Sequence, residues 1–344
     1  MLENDITIND VQTAYRKLKS MAYYDTHDLY LKSRIASFET GIELGLRASG
    51  TLNYELIDFQ EKLDHLHQAL TSKAQGDFIE YWKNLYSKID YRILPKKVKS
   101  YNNYNQKKSK NAEHLIESVF TNIREIEDEA NYEFDKLTFF FEAPVEIHLV
   151  SILWIMKLGY HLETDLHEKC YGNRLILNKK KANSNENKVT DDSSLFKPYY
   201  NQYQKWRDEG ITVAKNYLEN KQDVLFLNID IKDYYYSIRF NFNDLESRLE
   251  NKQLEDYSTL SDVFKKIHTV YTKKLQRTKY PNDFIKDVSD NESVLPIGLA
   301  SSYILANWYL KDFDSRVHQN IRPIYYSRYV DDIFIVTANP DPKF

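Results

Sequence analysis

The chain has 344 residues, enough for one large domain or two to three smaller ones with a sizeable core. Hydrophobic residues make up 42% and charged residues 28%, which is ordinary for a folded soluble protein. The formal net charge of −4 excludes a global basic footprint, so a polyanion would have to be bound by local clusters. Tyrosine is frequent, at 28 residues, but it serves cores, interfaces and base stacking alike.

The cysteine content and the length of the apolar stretches indicate the cellular localisation of the protein. The single cysteine, Cys170, excludes an intrachain disulfide framework and fits a reducing cytosol. The N-terminus lacks the basic start and apolar run of a signal peptide. The apolar stretches around residues 149–156 and 333–336 are far too short to span a bilayer. We therefore expect a cytoplasmic protein with no membrane partner.

Helical periodicity dominates the first 136 residues and predicts a mainly helical N-terminal region. Apolar residues recur at three-to-four spacing from about Ile8 to Ile93, and again from Asn111 to Lys136. Between these stretches, residues 96–110 contain six lysines, two tyrosines and no acid. Such a segment is either a solvated loop or a loop that tracks phosphates, and the spacing decides for neither.

Two further helices are predicted downstream. Pro144 introduces a buried helix from Val145 to Leu158, and Gly159 ends it. The stretch from Leu195 to Leu218 is also predicted to be largely helical, with a stripe of aromatic residues that is more often core than binding surface.

A strand signal precedes the first of three segments that contain chemically interesting residues. Residues 224–229 are almost wholly apolar and predict a buried strand, which ends at Asp230. An aspartate in that position is costly to desolvate unless it pairs or binds a cation. An aspartate that caps the next turn is the alternative.

The other two segments follow near the end of the chain. In one, a Pro296-Ile-Gly298 turn leads through Ser301 and Ser302 into an apolar helix, so the backbone can approach a ligand and offer N–H donors to phosphate. A tight turn with a capped helix is the alternative. In the other, residues 329–332 (Tyr-Val-Asp-Asp) separate two β-prone runs and predict a hairpin with carboxylates at its tip. A solvated turn is the alternative there.

Together and in this order, the three segments resemble the palm of a reverse transcriptase. Residues 230–238 resemble its first carboxylate motif, residues 295–307 its second motif, and residues 329–332 its third. The resemblance covers about Val224 to Thr337 and extends more loosely upstream from Phe139.

The resemblance implies an α+β fold. We expect a mainly helical N-terminal region over residues 1–136, fingers over 137–222, and a ferredoxin-like palm over 223–344. The palm would be truncated after its catalytic hairpin and would lack a thumb.

In this family the carboxylates bind two Mg²⁺ ions, with Mn²⁺ as an alternative, about 4 Å apart. Carboxylates suit such hard cations. The resemblance makes Asp230 and Asp331 the bridging ligands, with the carbonyl of Ile231 assisting at the nucleotide metal. Asp332 would be the adjacent, more weakly coordinating acid. Like charges this close are unfavourable without metal, which is a signature of function rather than stability.

The resemblance also implies residues that contact the nucleotide. Tyr235 falls where the family places a bulky sugar gate against the ribose 2′-OH, with simple palm packing as the alternative. Arg174, and more weakly residues 179–181, would supply cations to the triphosphate; a salt-bridged arginine is the alternative. Gly298 and Ser302 would line the nucleotide site.

The implied function is RNA-directed DNA polymerisation, RNA-templated or untemplated, with RNA template, DNA product and dNTPs as partners. Ile297 stands in place of the usual glutamine and Tyr303 in place of the usual proline. These departures, together with the long helical N-terminal region and residues 171–175 (Tyr-Gly-Asn-Arg-Leu), resemble bacterial antiviral-defence reverse transcriptases, the abortive-infection and unknown-group lineages. A non-coding RNA or a second defence protein is a further candidate partner. An RNA polymerase with the same palm, or a non-catalytic nucleic-acid-binding palm that regulates a partner, stays open.

Overall fold

The computed structural model describes residues 6–24, 28–41, 58–72, 74–102, 131–178, 188–249, 257–278, 285 and 287–340. The chain divides into two compact units, Met1–Ile89 with Ala143–Phe344 and Asp90–Glu142. The larger unit combines helices with a three-stranded antiparallel sheet, and the smaller one contains a two-stranded hairpin. The predicted α+β class is confirmed.

Helices form the first part of the larger unit, as the periodicity predicts. Their bounds are α1 (Ile8–Tyr24), α2 (Leu29–Thr40), α3 (Phe59–Thr71) and α4 (Ile79–Ser87). The apolar face of α1 buries Val11 and Leu18, and that of α3 buries Leu63 and Leu66. The side chain of Asp28 caps α2 by accepting a hydrogen bond from the backbone N–H of Leu31.

The smaller unit corrects two helix predictions. Strand β1 (Asp90–Asn102) pairs antiparallel with β2 (Asn131–Glu142). The prediction of a helix is therefore wrong for residues 90–93 and for residues 131–136, because pairing between the two segments satisfies backbone groups that periodicity alone assigned to helices. Residues 111–130 lie outside the described residues. Of the lysine-rich segment, residues 96–102 belong to β1 and residues 103–110 are not described.

The remaining elements of the larger unit follow in chain order. They are α5 (Val145–Lys157), a 3₁₀ helix (Gly159–Asp165), α6 (Tyr199–Glu219), β3 (Val224–Asp230), α7 (Tyr234–Ser237), β4 (Phe240–Asn241), α8 (Phe242–Arg248), α9 (Ser258–Gln276), β5 (Glu292–Ser293), α10 (Ala300–Tyr309), α11 (Lys311–Asn320), β6 (Tyr325–Tyr329) and β7 (Asp332–Ala338). The predicted helix over residues 145–158 is confirmed and ends one residue earlier than predicted. The predicted helix over residues 195–218 is also confirmed, but it begins four residues later and ends one residue later than predicted.

Helix α5 lies at the centre of this unit. Ten of its 13 residues are buried, and α1, α9 and α10 all pack against it. The ring of Trp154 stacks on Phe264 of α9 with centroids 4.0 Å apart. Among the described helices none is by itself long and apolar enough to cross a bilayer, although α5 and the 3₁₀ helix after it, bent by 52°, reach that length and composition together.

The sheet has the strand order β3-β7-β6, with both pairings antiparallel. Helix α6 covers one face over β6 and β7, where Gly210 packs so closely on Phe334 that a Cβ at residue 210 would lie 2.1 Å from the ring. Helix α11 covers the other face, with Val317 against Ile333 and Ile335. The predicted hairpin of β6 and β7 is confirmed.

Strand β3 is not the buried strand that its apolar run predicts. It lies at the edge of the sheet among the described residues, and the side chains of Phe226 and Ile229 are 44% and 41% exposed. Helix α6 packs mainly over the other two strands, so it leaves part of β3 uncovered. An apolar run indicates a strand, but it does not say which element covers it.

A buried histidine predicts how stability depends on pH. Burial lowers the pKa of His268 on α9 to about 4, although its Nδ1 lies 3.0 Å from the carbonyl oxygen of Phe264. The unfolded chain, with an ordinary pKa near 6.5, takes up this proton first as the pH falls, so stability is lost between about pH 6.5 and 4. Between pH 7.5 and 5 we expect this histidine to account for about 2 kcal/mol of lost unfolding free energy.

Urea unfolding of wild type and His268→Leu at both pH values measures this contribution. The variant should lose about 2 kcal/mol less than wild type over that interval. His65→Gln, at an exposed histidine, is the matched control and should lose as much as wild type. Equal losses in wild type and His268→Leu would contradict the assignment.

Candidate active site

The tip of the β6–β7 hairpin is a two-residue turn with a strained backbone. Tyr329 pairs with Asp332, which leaves Val330 and Asp331 to form the turn. Val330 has φ = 59°, in the left-handed region that a β-branched residue rarely adopts. The turn also rests against Gly172, where an added Cβ would lie 2.6 Å from Cγ2 of Val330. Such a turn persists only where surrounding contacts hold it.

The three aspartates come from the ends of two neighbouring strands. Asp230, the last residue of β3, lies directly across from Asp332, the first residue of β7. Residues opposite each other in an antiparallel pair share a face, with Cβ atoms about 5 Å apart. Asp331 precedes Asp332 at the turn. Burial, and next the charge of Asp230, raises the pKa of Asp332 above its usual range.

The chemistry of these donors fits a divalent cation. Asp230 and Asp332 are like charges directly across a strand pair, an arrangement that is unfavourable by itself. Carboxylate oxygens are the ligands that Mg²⁺ and Mn²⁺ prefer, and a cation between them would relieve the repulsion. As the side chains stand, no group of three or more His, Cys, Asp or Glu residues in the described ranges is arranged to hold a metal ion.

A fully buried ion pair lies behind the hairpin. Arg328 on β6 donates from Nε to Oδ1 of Asp314 at 2.7 Å and from Nη2 to Oδ2 at 2.9 Å. The hydroxyl of Tyr326 also donates to Oδ1 of Asp314. Both charged side chains are almost completely excluded from solvent. This two-pronged pairing fixes α11 against the strand that leads to the turn.

The same guanidinium group holds the turn itself. Nη1 of Arg328 donates to the carbonyl oxygen of Val330 at 3.2 Å and to Oδ1 of Asn307 at 2.9 Å. Asn307 in turn donates from Nδ2 to the carbonyl oxygen of Gly172 at 2.6 Å. Backbone bonds from Arg328 N to Lys169 O and from Tyr171 N to Arg328 O align residues 169–171 with β6. The turn is therefore held from the side of α10 and from the segment that precedes Arg174.

Sequence reasoning did not single out Arg328 or Asp314. The available signal is the strand alternation, in which Arg328 occupies the same face as the buried Tyr326. An arginine at such a position needs a buried acid. The sequence does not say that Asp314, on a helix with several other charges, supplies it.

The segment after Asp230 folds back toward the hairpin. Tyr235 lies on the short helix α7 and is half-buried. Its carbonyl oxygen accepts a hydrogen bond from the backbone N–H of Leu295 at 3.1 Å, just before the Pro296 turn. Burial raises the pKa of Tyr235 well above its usual range, and the charges of Tyr303 and Asp331 raise it further. The phenol therefore lies, uncharged, near the turn of the hairpin.

The other residues predicted to contact the nucleotide have different surroundings. Ile231 packs its side chain against the core cluster around Ile333, and the metal contact of its carbonyl oxygen stays a prediction. Gly298 has φ = 99°, which favours glycine, and its Cβ position faces open space. The prediction that nucleotide approaches there stays a prediction. Residues 179–181 lie outside the described residues.

Ser302 is placed differently from what a nucleotide contact requires. It is fully buried on α10, and its Oγ has no hydrogen-bond partner among the described residues. Its neighbour Ser301 is also buried and shares hydrogen bonds with Ser151 of α5. The start of α10 is enclosed by other helices, so this serine does not enter the function proposed below.

Arg174 forms an ion pair, the alternative to a nucleotide contact. Its Nε donates to Oε1 of Glu163 at 2.5 Å, and its Nη1 donates to the carbonyl oxygen of Cys170 at 2.6 Å. Burial raises the pKa of Glu163 although Arg174 opposes the shift. The guanidinium group thus fastens the turn that contains Gly172. A contact with a triphosphate stays a prediction.

Asp331 and Asp332 at the hairpin turn, with Asp230 at the end of the neighbouring strand, are residues of the type that a metal-dependent nucleotidyl transferase would use. The family model for reverse transcriptase (RNA-dependent DNA polymerase) matches residues 169–342, just over half of the chain. The chain belongs to the reverse transcriptase family. Membership supports RNA-directed DNA polymerase activity in general and implies an RNA template and nucleotide substrates. A search of curated proteins finds no match to the chain.

The Arg328–Asp314 pair predicts a large effect on stability. Arg328→Met should lower the free energy of unfolding by about 3–5 kcal/mol, because it leaves Asp314 buried and uncompensated. Lys83→Met, which removes an exposed pair with Glu80, should cost less than about 1 kcal/mol. Urea unfolding measures both.

The double variant Arg328→Met/Asp314→Leu provides the matched control. It removes both charges together, so it should be clearly more stable than Arg328→Met alone. If the single and double variants are equally unstable, the pair is not what holds the hairpin.

Proposed function

We propose that the site at the hairpin tip catalyses metal-dependent polymerisation of deoxynucleotides, directed by RNA or untemplated. The observation that carries the proposal is the register that sets Asp230 across from Asp332, with Asp331 next to it on the strained turn. Membership in the family supports the reaction class.

Asp230 and Asp331 are the proposed metal ligands, with the carbonyl of Ile231 assisting and Asp332 as the weaker acid. When bound, two divalent cations would supply the charge that activates a 3′-oxygen and holds the triphosphate. Strand pairing keeps Asp230 across from Asp332, and Asp331 is the residue before Asp332. The turn at Val330 sets the direction of Asp331, and Arg328 holds that turn from behind.

Tyr235 is the proposed sugar gate. Its ring lies near Asp331, so a nucleotide bound at the aspartates would bring its ribose close to the phenol. A ring in that position excludes a 2′-hydroxyl by volume, and a deoxyribose fits.

We further propose that the enzyme acts in bacterial antiphage defence, in the cytoplasm. The support is the sequence alone, namely Ile297 and Tyr303 at the motif positions where other family members have glutamine and proline, and the helical N-terminal region. Structurally, Tyr303 contacts Phe196 with ring centroids 5.8 Å apart and lies close to Tyr235. The altered motif therefore borders the proposed gate. A non-coding RNA or a second defence protein is a candidate partner.

Loss of the aspartate charges should abolish activity without unfolding the protein. With an RNA template, a DNA primer and Mg²⁺ or Mn²⁺, Asp230→Asn and Asp331→Asn should each reduce dNTP incorporation by about 100-fold or more. Each variant removes one of several crowded like charges, so thermal stability should not fall. Incorporation of labelled dNTP and thermal unfolding are measured on the same preparations.

Asp223→Asn is the matched control, since Asp223 is an exposed aspartate just before the other end of β3. It should incorporate dNTP as wild type does. Undiminished incorporation by Asp230→Asn or Asp331→Asn would reject the site, and a wild type that binds RNA without turnover would favour a non-catalytic palm.

Truncation of the gate should change sugar selectivity. Tyr235→Ala should raise the efficiency of ribonucleotide use relative to deoxynucleotide use by about tenfold or more, because the ring no longer occupies the space of the 2′-hydroxyl. Tyr235→Phe keeps the ring and should keep wild-type selectivity. Steady-state incorporation of matched rNTP and dNTP pairs measures the ratio. An unchanged ratio in Tyr235→Ala would show that the gate is elsewhere.

The defence role predicts a cellular phenotype that depends on catalysis. Phage should form fewer plaques on bacteria that express the full chain than on bacteria with an empty vector. On bacteria that express Asp331→Ala/Asp332→Ala, phage should form as many plaques as on the vector control. If both proteins protect equally, polymerisation is not the defence activity.

A further inference from the structure

A group of exposed tyrosines lies beside the catalytic hairpin. Tyr24 at the end of α1 and Tyr199 at the start of α6 are 57% and 58% exposed, and Tyr203, one helical turn further on, is 41% exposed. Tyrosines with this much ring surface in water contribute little to a core. Three of them in one place on a monomer need another explanation.

The rings form two contacting pairs, and the second pair reaches the hairpin. The centroids of Tyr24 and Tyr199 are 6.1 Å apart, and those of Tyr203 and Tyr329 are 5.6 Å apart. Tyr199 and Tyr203 are four residues apart on α6, so they lie on the same side of the helix. Burial, and after it Tyr199, Tyr24 and Tyr203 in that order, raise the pKa of Tyr329 to about 12. All four side chains therefore lie close together.

The inner end of this series is the catalytic hairpin itself. Tyr329 pairs with Asp332, and Val330 and Asp331 follow it. The buried Trp206 backs the series, with its ring 5.3 Å from Tyr203 and 6.3 Å from Tyr329. Tyr203 and Tyr329 thus rest on a buried aromatic ring, and a supported ring suits a stacking surface.

We infer that Tyr24, Tyr199, Tyr203 and Tyr329, here called the tyrosine track, stack the bases of a single nucleic-acid strand that leads to or from the proposed catalytic site. Base stacking on aromatic side chains tolerates any sequence, because every base presents a π-face. The inference rests on the proposed function, since its direction is given by the aspartates at the inner end of the track.

Two lysines lie near the ring of Tyr23, the residue before Tyr24 in the chain. The ammonium groups of Lys19 and Lys32 are 5.9 and 5.8 Å from the centroid of the Tyr23 ring, next to Tyr24. Lys19 also pairs with Glu39. Local lysines beside aromatic rings are the combination by which a protein with an acidic net charge can bind a strand.

The test measures single-strand affinity on the full chain in EDTA, so that turnover is excluded. Fluorescence anisotropy with labelled oligo(dT) and oligo(U) should show that Tyr24→Leu/Tyr199→Leu binds both strands about tenfold or more weakly than wild type. Leucine keeps apolar bulk and removes the aromatic ring. Tyr24→Phe/Tyr199→Phe keeps the ring and should bind within about twofold of wild type.

Tyr309→Leu is the matched control, because Tyr309 is also 41% exposed but is not among the rings around Tyr329. It should bind as wild type does. A photoreactive 5-iodouracil strand should crosslink wild type at residues of the track, as mapped by peptide mass spectrometry. This readout does not depend on whether a substitution disturbs folding.

Three results would overturn the inference. They are an unchanged affinity in the leucine pair, an equal loss in the phenylalanine pair, and crosslinks confined to other surfaces. An unchanged affinity in the leucine pair would favour a protein partner as the ligand of the tyrosine track. The binding and crosslinking results are independent of the dNTP incorporation assay. A negative result for the tyrosine track can therefore be distinguished from a negative result for the catalytic aspartates.

Discussion

The buried ion pair between Arg328 and Asp314 is the contact on which the site depends. A β-branched residue with positive φ at the hairpin tip is unfavourable, and Val330 adopts it only because neighbouring groups leave it no alternative. Arg328 restrains the turn by donating a hydrogen bond to the carbonyl oxygen of Val330, while Asp314 holds the guanidinium group. The ion pair contributes rigidity at the turn that contains Asp331, a proposed metal ligand.

The paired aspartates, in contrast to the ion pair, destabilise the fold at this site. Strand pairing sets Asp230 across from Asp332, although two carboxylates in that position repel each other. A protein selected for stability alone would place an amide or an opposite charge at one of these positions. The repulsion is tolerated because backbone pairing along seven residues of β3 fixes the register, whatever the two side chains prefer. Such stored repulsion is what a divalent cation would relieve.

Local patterns in the sequence predicted the elements that depend on local interactions. The helices at 145–157 and 199–219 and the hairpin around Val330 follow from periodicity, from proline and glycine positions and from alternating apolar runs. Family resemblance placed the three aspartates, and no periodicity could have done so. The pairing of Asp230 with Asp332 follows from a strand register that the sequence does not contain.

Other features depend on how the elements pack against one another, and the predictions made from local sequence patterns were wrong for them. Residues 131–136 form a strand because β1 pairs with them, and β3 is half exposed because α6 lies over its neighbours. Ser302 is enclosed because helices surround α10 on several sides, although its position at a helix start suggested a ligand contact. The sequence also could not predict which acid pairs with Arg328, because Asp314 is one of several charged residues on α11.

The most direct test is a crystal structure of the full chain soaked with Mn²⁺ and a dNTP, with anomalous scattering used to locate the ion. The account predicts at least one Mn²⁺ within about 2.5 Å of oxygens from both Asp230 and Asp331. It would be contradicted by Mn²⁺ bound only elsewhere, or by carboxyl groups of these two residues about 15 Å or more apart, too far to share a metal pair.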